Sequence, residues 1–499
     1  MKIAGLDIGT TGCKCTVFDR SGNYLEKAYR DYPVSRSVSG HEVDVSVIMD
    51  AVYAVLSEMA AKYPDIAGIG VTSFGETFVA ADGEGRPLCP AMLYTDPRGK
   101  EECQELVRKL GGKKIAEITG LRPHEMYSIA KLMWLRQNRP EVYARADCIF
   151  LMEDYVVYHL TGNCQIDYSL ASRTMAFDIR KLEWSREIFD AAGVDPDRMS
   201  ETVPPGTDAG VIREDAAKRT GLDGKTRVVS ISHDQIAAAV GAGIFDSSEA
   251  ADGAGTVECI TPVFDSLPDM DVMYDGYFAV VPYVIPGKYA AYAFSYTGGA
   301  LIQWCADTIA KKEKEWAKED GESVNSYLEK RSASPTGLLV LPHFAGAATP
   351  YMDTGSEGAI LGLTTATTAA DIYRGCMEGV VYEMLCNLKA LEGSGCRFTR
   401  LRATGGGARS EEWMQMKADI LNLPITALET ADAGTVGSAM MTGIALGIFR
   451  DLEEAAERMI ERRETYLPRR EMHGRYMKIY QRYERLYQTV RPLMEKEAG

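Results

Sequence analysis

The sequence contains no apolar run approaching the roughly 20 residues that a membrane-spanning helix needs, so no such helix is expected. It has no excess of positive charge either: 55 lysines and arginines stand against 71 aspartates and glutamates, leaving a net charge of −16. A chain this acidic offers no extended groove for a nucleic-acid backbone or an anionic membrane, and any phosphate it binds has to be held locally. The 11 cysteines are scattered, odd in number and without the paired spacing of a zinc site. Cys13 and Cys15 share one face of a strand, but no second Cys or His pair completes a ligand set. A phosphate-binding P-loop is missing as well: Gly224-Lys225-Thr226 imitates its end, yet Arg219 stands where the first glycine is required. The opening MKIAGLDIG has neither the basic start nor the long apolar run of a secretion leader, so the expectation is a cytoplasmic chain with reduced thiols.

What is present begins at Ile3 to Asp19, IAGLDIGTTGCKCTVFD, which reads as strand, glycine-threonine turn, strand. With no side chains at Gly5 and Gly9, the N–H groups of Gly9, Thr10, Thr11 and Gly12 are open to an anion, and Asp7 stands where a magnesium ion would want a carboxylate. The same pattern also serves as a plain hairpin. YLEKAYRDYPV returns as a third strand, and the spacing of Val52, Val55, Leu56 and Met59 predicts a helix over 45–62. AGIGVT then ends at SFGETF, where Glu76 and Thr77 emerge at a strand's carboxyl end, the usual ligand side of an open α/β sheet. Asp96 precedes a proline and reads equally as a sugar contact or a turn former. YSIAKLMWLRQN forms a helix carrying Lys131 and Trp134. RVVSIS delivers His233-Asp234-Gln235 into a helix of small residues, where Asp234 is a helix cap or something more.

Beyond a polar stretch at 245–251 that reads as a hinge, AADGAGTVECITPVF echoes the opening, so that Asp252-Gly255-Thr256 looks like a second copy of Asp7-Gly9-Thr10. Residues 310–335 read as a charged, solvated face. Thr404 to Ser410 is a glycine loop after a strand, open to a flat ligand or a phosphate, and ADAGTVGSAMMTGIALGIF is a small-residue helix suited to packing beneath it. Tyr476, Tyr480, Tyr483 and Tyr487 fall on one helical stripe, the pattern of a buried face.

Taken together these segments resemble one family along nearly the whole chain, the FGGY carbohydrate kinases. Met126 to Asn138, with Ser128, Lys131 and Trp134, meets the first family signature, and Gly358, Ile360, Gly362, Leu363, Asp371 and Ile372 meet the second, which departs only at Gly375. DIGTTGCKCTVFD, SHDQIAAAVGAG and GGGARSEEWMQMKADILNLPI match three further motifs. The resemblance implies an α/β, two-domain, actin-like (ribonuclease-H-like) ATPase fold with a central cleft, divided at 1–245 and 246–499. It implies ATP as co-substrate with Mg2+, and a small sugar as acceptor. By similarity Asp234 is the catalytic base and Asp7 orients the magnesium. Gly9, Thr10, Thr11, Gly255 and Thr256 cradle phosphates. Gly299 and Gln303 touch the nucleotide, and Gly406, Gly407 and Ser410 flank the adenosine. Glu76, Thr77, Asp96, Tyr127 and Gln235 fall on sugar-contact positions.

Glycerol kinases have arginine where this chain has Gly75, so a roomier pocket is expected; xylulose kinases usually have Met-His at Glu76-Thr77. The expected substrate is a ketopentose such as xylulose, with another polyol, sugar acid or deoxy-sugar as the alternative and a homodimer as a candidate assembly. Asp234 is expected to be an ordinary carboxylate with a pKa of about 3.9, ionised at neutral pH.

Overall fold

The computed structural model describes residues 1–37, 40–429 and 432–495. The first half is built on a sheet of six strands. β1 (Lys2–Ile8), β2 (Gly12–Asp19) and β3 (Tyr24–Asp31) form the antiparallel meander that the sequence predicts. Helix α1 (Val45–Lys62) follows, its first turn closed by the Asp44 carboxylate accepting from Ser46 N–H at 2.9 Å. It buries Val45, Ile48, Val52, Val55, Leu56 and Met59. β4 (Ile66–Ser73) then lies parallel to β1. The chain continues through α2 (Ser128–Asn138) and the short α3 (Tyr168–Ser172) to β5 (Thr207–Val211) and β6 (Arg227–His233), and β6 runs parallel to β4. Helix α4 (Asp234–Gly241) leaves its end directly. The strand order is β5-β6-β4-β1-β2-β3.

The second half repeats the plan. β7 (Glu249–Ala254), β8 (Glu258–Phe264), β9 (Ala279–Pro282) and β10 (Tyr289–Ser295) lead into α5 (Gly299–Thr308). After the long α6 (Ala369–Ala390) come β11 (Arg400–Thr404), α7 (Glu411–Leu421), β12 (Ile425–Leu428), α8 (Ala433–Ala445), β13 (Arg462–Tyr466) and α9 (Arg470–Tyr483). The order is β9-β10-β8-β7-β11-β12-β13, so β7, β8 and β10 match the first meander and β11 and β12 add parallel strands beside β7. β7 therefore occupies the place in its sheet that β1 occupies in the first, so the echo in sequence is an echo in topology, although Asp252 lies one residue further from its turn than Asp7 does. Because β7 begins at Glu249, the last residues of the expected hinge belong to a strand.

One helix departs from expectation. α8 does not pack beneath the Gly405 loop; it lies on the first sheet, against β1, β4 and α4. Its residues are small because backbones meet there. A Cβ on Gly437 would lie 1.9 Å from the Ala237 carbonyl oxygen, and one on Gly241 would lie 1.9 Å from that of Ala433. Ser438 Oγ donates to the Gly70 carbonyl at 2.8 Å. The tyrosine stripe is core: Tyr476, Tyr480 and Tyr483 are buried and pack around Tyr382.

Candidate active site

Three neighbouring strands, β1, β4 and β6, release Asp7, the 74–77 loop and Asp234 at one edge of the first sheet. Asp234 opens α4, and His233 before it is held by its own N–H donating to Ser169 Oγ at 2.8 Å. The His233 ring bridges the two halves of the chain: Nδ1 lies 3.0 Å from the Tyr292 hydroxyl of β10, and Nε2 lies 3.3 Å from Asp234 Oδ1. Burial, aided by the charge of Arg173, holds this imidazole well below its ordinary value, so it is neutral. Asp234 is not the ordinary carboxylate expected. Burial, then the charges of Asp7 and Glu76, push it up to about 7, even though Gln235 hydrogen-bonds it. A general base works best with a pKa near the operating pH, and this one has it.

Glu76 sits in the left-handed region at φ 65°, a conformation fixed by Ser128 Oγ donating to its carbonyl at 2.7 Å. Its carboxylate is gripped by Arg173, from the loop after α3, through Nε at 2.7 Å and through Nη2 to the same oxygen. Arg173 lies between the rings of Tyr127 (5.3 Å) and Tyr292 (5.4 Å). The room expected at Gly75 is therefore taken: a Cβ there would meet Arg173 Cγ at 2.8 Å and His233 Cδ2 at 3.2 Å. Thr77 is buried with its Oγ1 unpartnered, and burial pushes the Tyr127 hydroxyl up to about 12.

Asp96 is placed differently from its expected role. Its oxygens accept from Arg98 Nε (2.8 Å), Nη2 (2.6 Å) and N–H (2.9 Å) and from His41 N–H (2.7 Å), which fills its acceptor positions. It anchors a loop, with no oxygen left to offer a sugar. Lys131 completes that anchor with donations to the carbonyls of Asp96 (3.1 Å), Arg98 (3.4 Å) and Glu125 (2.5 Å), and Trp134 stacks beneath Arg98 at 4.9 Å. Burial pulls the Lys131 ammonium down to about 8. The first signature thus holds loops in place.

The first turn is closed by Gly9 N–H donating to the Gly12 carbonyl at 2.9 Å, with Thr10 partly and Thr11 fully exposed. Lys14, on β2 opposite Asp7, lies 3.2 Å from Asp7 Oδ2 and 3.3 Å from Asp432. The start of α8 comes so close that a Cβ on Gly434 would lie 2.9 Å from Asp7 Oδ2. The second turn has the matching contact, Gly255 N–H to Val257 at 3.1 Å, and receives Gly298, Gly299 and Ala300 through N–H donations of 2.8–3.0 Å. Beneath it Lys417 of α7 is buried against Asp252 (2.7 Å) and Glu258, so the second acidic strand also meets a lysine, here from a helix and not from the neighbouring strand. Gln303 donates to Asp307 at 2.7 Å on an exposed face.

Gly406 and Ser410 line a pocket of about 540 Å³ whose far wall is Ser323, Asn325, Ser326, Glu329 and Lys330. Residues 310–335 are therefore more than a solvated face, and Ser410 Oγ reaches across to Glu329 at 2.9 Å. Gly407 is packed against Trp413. Sequence reasoning missed Arg173, His233, Tyr292, Lys14 and Lys417. The only signal for Arg173 was a lone cation in a Ser- and Thr-rich loop, 97 residues from its partner.

Asp7 is one carboxylate, and among the described residues no cluster of three or more His, Cys, Asp or Glu could cage a metal. That suits magnesium, which takes one or two carboxylates and completes its shell with water and substrate phosphates. The electrostatics agree, because Asp7 raises Asp234 across the site and a cation beside Asp7 would offset that effect.

Matching sheets, each with an acidic strand end and a glycine-threonine turn, around a half-buried carboxylate of raised pKa are the frame of an ATP-dependent phosphotransferase. The models of the FGGY family of carbohydrate kinases match here, the N-terminal domain over residues 2–241 and the C-terminal domain over 263–446, and the chain belongs to that family. It is an ATP-dependent sugar kinase. Xylulose kinase of Lactococcus lactis is 28% identical over 471 residues, 93% of this chain and 91% of that one. Gluconokinase of Bacillus subtilis is 27% identical over 452 residues, 89% and 87% of the two chains. Glycerol kinase of Carboxydothermus hydrogenoformans is 30% identical over 485 residues, 92% and 93%. Ligand-bound xylulose kinase from Lactobacillus acidophilus superposes with a TM-score of 0.89 at 23% identity, covering 98% of each chain, and shares the two-domain α/β fold.

Proposed function

We propose that this kinase phosphorylates a hydroxyl of a ketopentose such as xylulose, with Asp234 as the base that takes the hydroxyl proton. The observation that carries the reading is Asp234 itself: half-buried at the edge of the first sheet, raised to about 7 and under the charges of both Asp7 and Glu76. Glu76, Thr77, Tyr127 and Gln235 surround the sugar, while Asp96 acts through the loop it anchors. Thr10, Thr11 and Thr256 offer N–H groups and hydroxyls to the phosphates, while Gly9 and Gly255, whose N–H groups close their turns and are not open to an anion as expected, let the phosphates approach the backbone. Gly299 and Gln303 border the same nucleotide, and the pocket lined by Gly406 and Ser410 receives the adenosine, with Gly407 packed behind it. Magnesium, held by Asp7 and the phosphates, would neutralise charge on the transferring group. Phosphoryl transfer passes through a loose transition state, so holding hydroxyl and phosphate in line matters more than a strong base.

Lys14 keeps Asp7 oriented, and neutral His233 keeps Asp234 turned toward the sugar. Both charge-bearing turns lie on separate sheets, so they grip one nucleotide when residues 1–245 and 246–499 close together, and closure expels water that would otherwise accept the phosphoryl group. The reading places the enzyme in the cytoplasm and keeps a homodimer as its candidate assembly; among the described residues no helix is long and apolar enough to cross a membrane. The test is ADP formation with ATP, magnesium and a panel of pentuloses, hexuloses, polyols and aldonates. A ketopentose should give the highest kcat/KM, and a panel led by glycerol would contradict the reading.

A further inference from the structure

Among the described residues, Arg173 is the one cation that the site buries without using it fully. Its side chain is 7% exposed and that of Glu76 is 6% exposed, and they form an ion pair in which Nε and Nη2 both reach Glu76 Oε1. Nη1 is buried with no partner, and among the described residues no hydrogen bond reaches Glu76 Oε2. A buried guanidinium N–H left unpaired is costly, and such groups usually await a partner. The pair cannot drift, because Tyr127 and Tyr292 flank the guanidinium, the Gly75 backbone abuts its stem and Ser128 fixes the Glu76 carbonyl.

We propose that the Arg173–Glu76 pair is the specificity determinant of the sugar pocket, presenting one N–H donor at Nη1 and one acceptor at Oε2 to a neutral sugar while turning sugar acids away. The donor suits a carbonyl or hydroxyl oxygen and the acceptor suits a neighbouring hydroxyl, the pattern along a ketose or polyol. A carboxylate would need an unpaired cation, and four of the cations nearby are already engaged. Glu76 holds Arg173; Asp96 and Glu42 hold Arg98; three carbonyls hold Lys131; Asp7 and Asp432 hold Lys14. Asp7 and Asp234 add negative charge to the same space. An entering carboxylate would be desolvated against carboxylates.

The inference rests on the kinase reading and is tested by kcat and KM for matched neutral sugars and aldonates in the wild type, Glu76→Gln and Arg173→Lys, with folding checked by circular dichroism. The wild type should favour a neutral sugar over its aldonate by about 100-fold or more in kcat/KM. Glu76→Gln removes the counter-charge and frees the guanidinium, so the neutral-to-acid ratio should fall at least about 10-fold. Arg173→Lys keeps the charge but loses the fork, so the KM for the sugar should rise about 10-fold with the KM for ATP unmoved. If Glu76→Gln fails to fold, Arg173→Lys carries the test. A wild type that prefers an aldonate, an unchanged ratio in Glu76→Gln, or equal shifts in both KM values in Arg173→Lys overturns the proposal while leaving the kinase standing. Absence of turnover on every sugar overturns the proposed function and this inference together.

Discussion

Asp234 pays for its catalytic position in stability, and the sign of that effect can be worked out. Its folded value of about 7 lies above the ordinary carboxylate value of about 3.9, so the folded state binds more protons between those limits and loses stability as pH rises through them. Asn carries no charge to bury. Asp234→Asn, without nucleotide or magnesium, should therefore melt at a higher temperature than wild type at pH 8, with the gap closing as pH falls toward about 4. A constant gap would mean that burial of the charge is not its source. The same substitution should lower turnover by about 10²- to 10⁴-fold, the usual share of a general base, with ATP affinity retained. More than a tenth of wild-type turnover would move the base elsewhere. Asp7→Asn should behave differently, its lost turnover partly restored by raised magnesium.

At the scale of elements, the signature helix α2 and the crossing of α4 with α8 show what was legible in sequence and what was not. Strands, turns and helices are local, so the meander, the 45–62 helix and the strand-to-helix delivery of His233-Asp234-Gln235 could be read directly. Distant contacts are not local. Arg98 stands two residues from Asp96, but nothing there says that the His41 N–H, 55 residues away, joins it in filling the Asp96 oxygens, and nothing near Gly75 says that Arg173 fills its space. Small residues in α8 announced close packing but not its partner, because a glycine face fits any backbone. Lys131→Met should leave the carbonyls of Asp96, Arg98 and Glu125 without their donor, costing about 1–3 kcal/mol in urea denaturation and raising the KM for the sugar more than that for ATP. Gly437→Ala places a methyl group against the Ala237 carbonyl and should cost about 1–3 kcal/mol by overpacking. A neutral result would mean that α4 and α8 separate freely.

For the whole molecule, the proposed function has the two glycine-threonine turns on matching sheets engage one nucleotide. Small-angle scattering should show compaction when sugar and a non-hydrolysable ATP analogue are added together, and an unchanged radius of gyration would remove closure from the account. The central claim, that Asp234 delivers a sugar hydroxyl to ATP, is tested most directly by ADP release measured with and without sugar in wild type and Asp234→Asn. The account predicts ADP release that depends on a ketopentose or related neutral sugar in the wild type and falls by about 10² or more in the variant. ADP release equal with and without every sugar, or undiminished by the substitution, would contradict it.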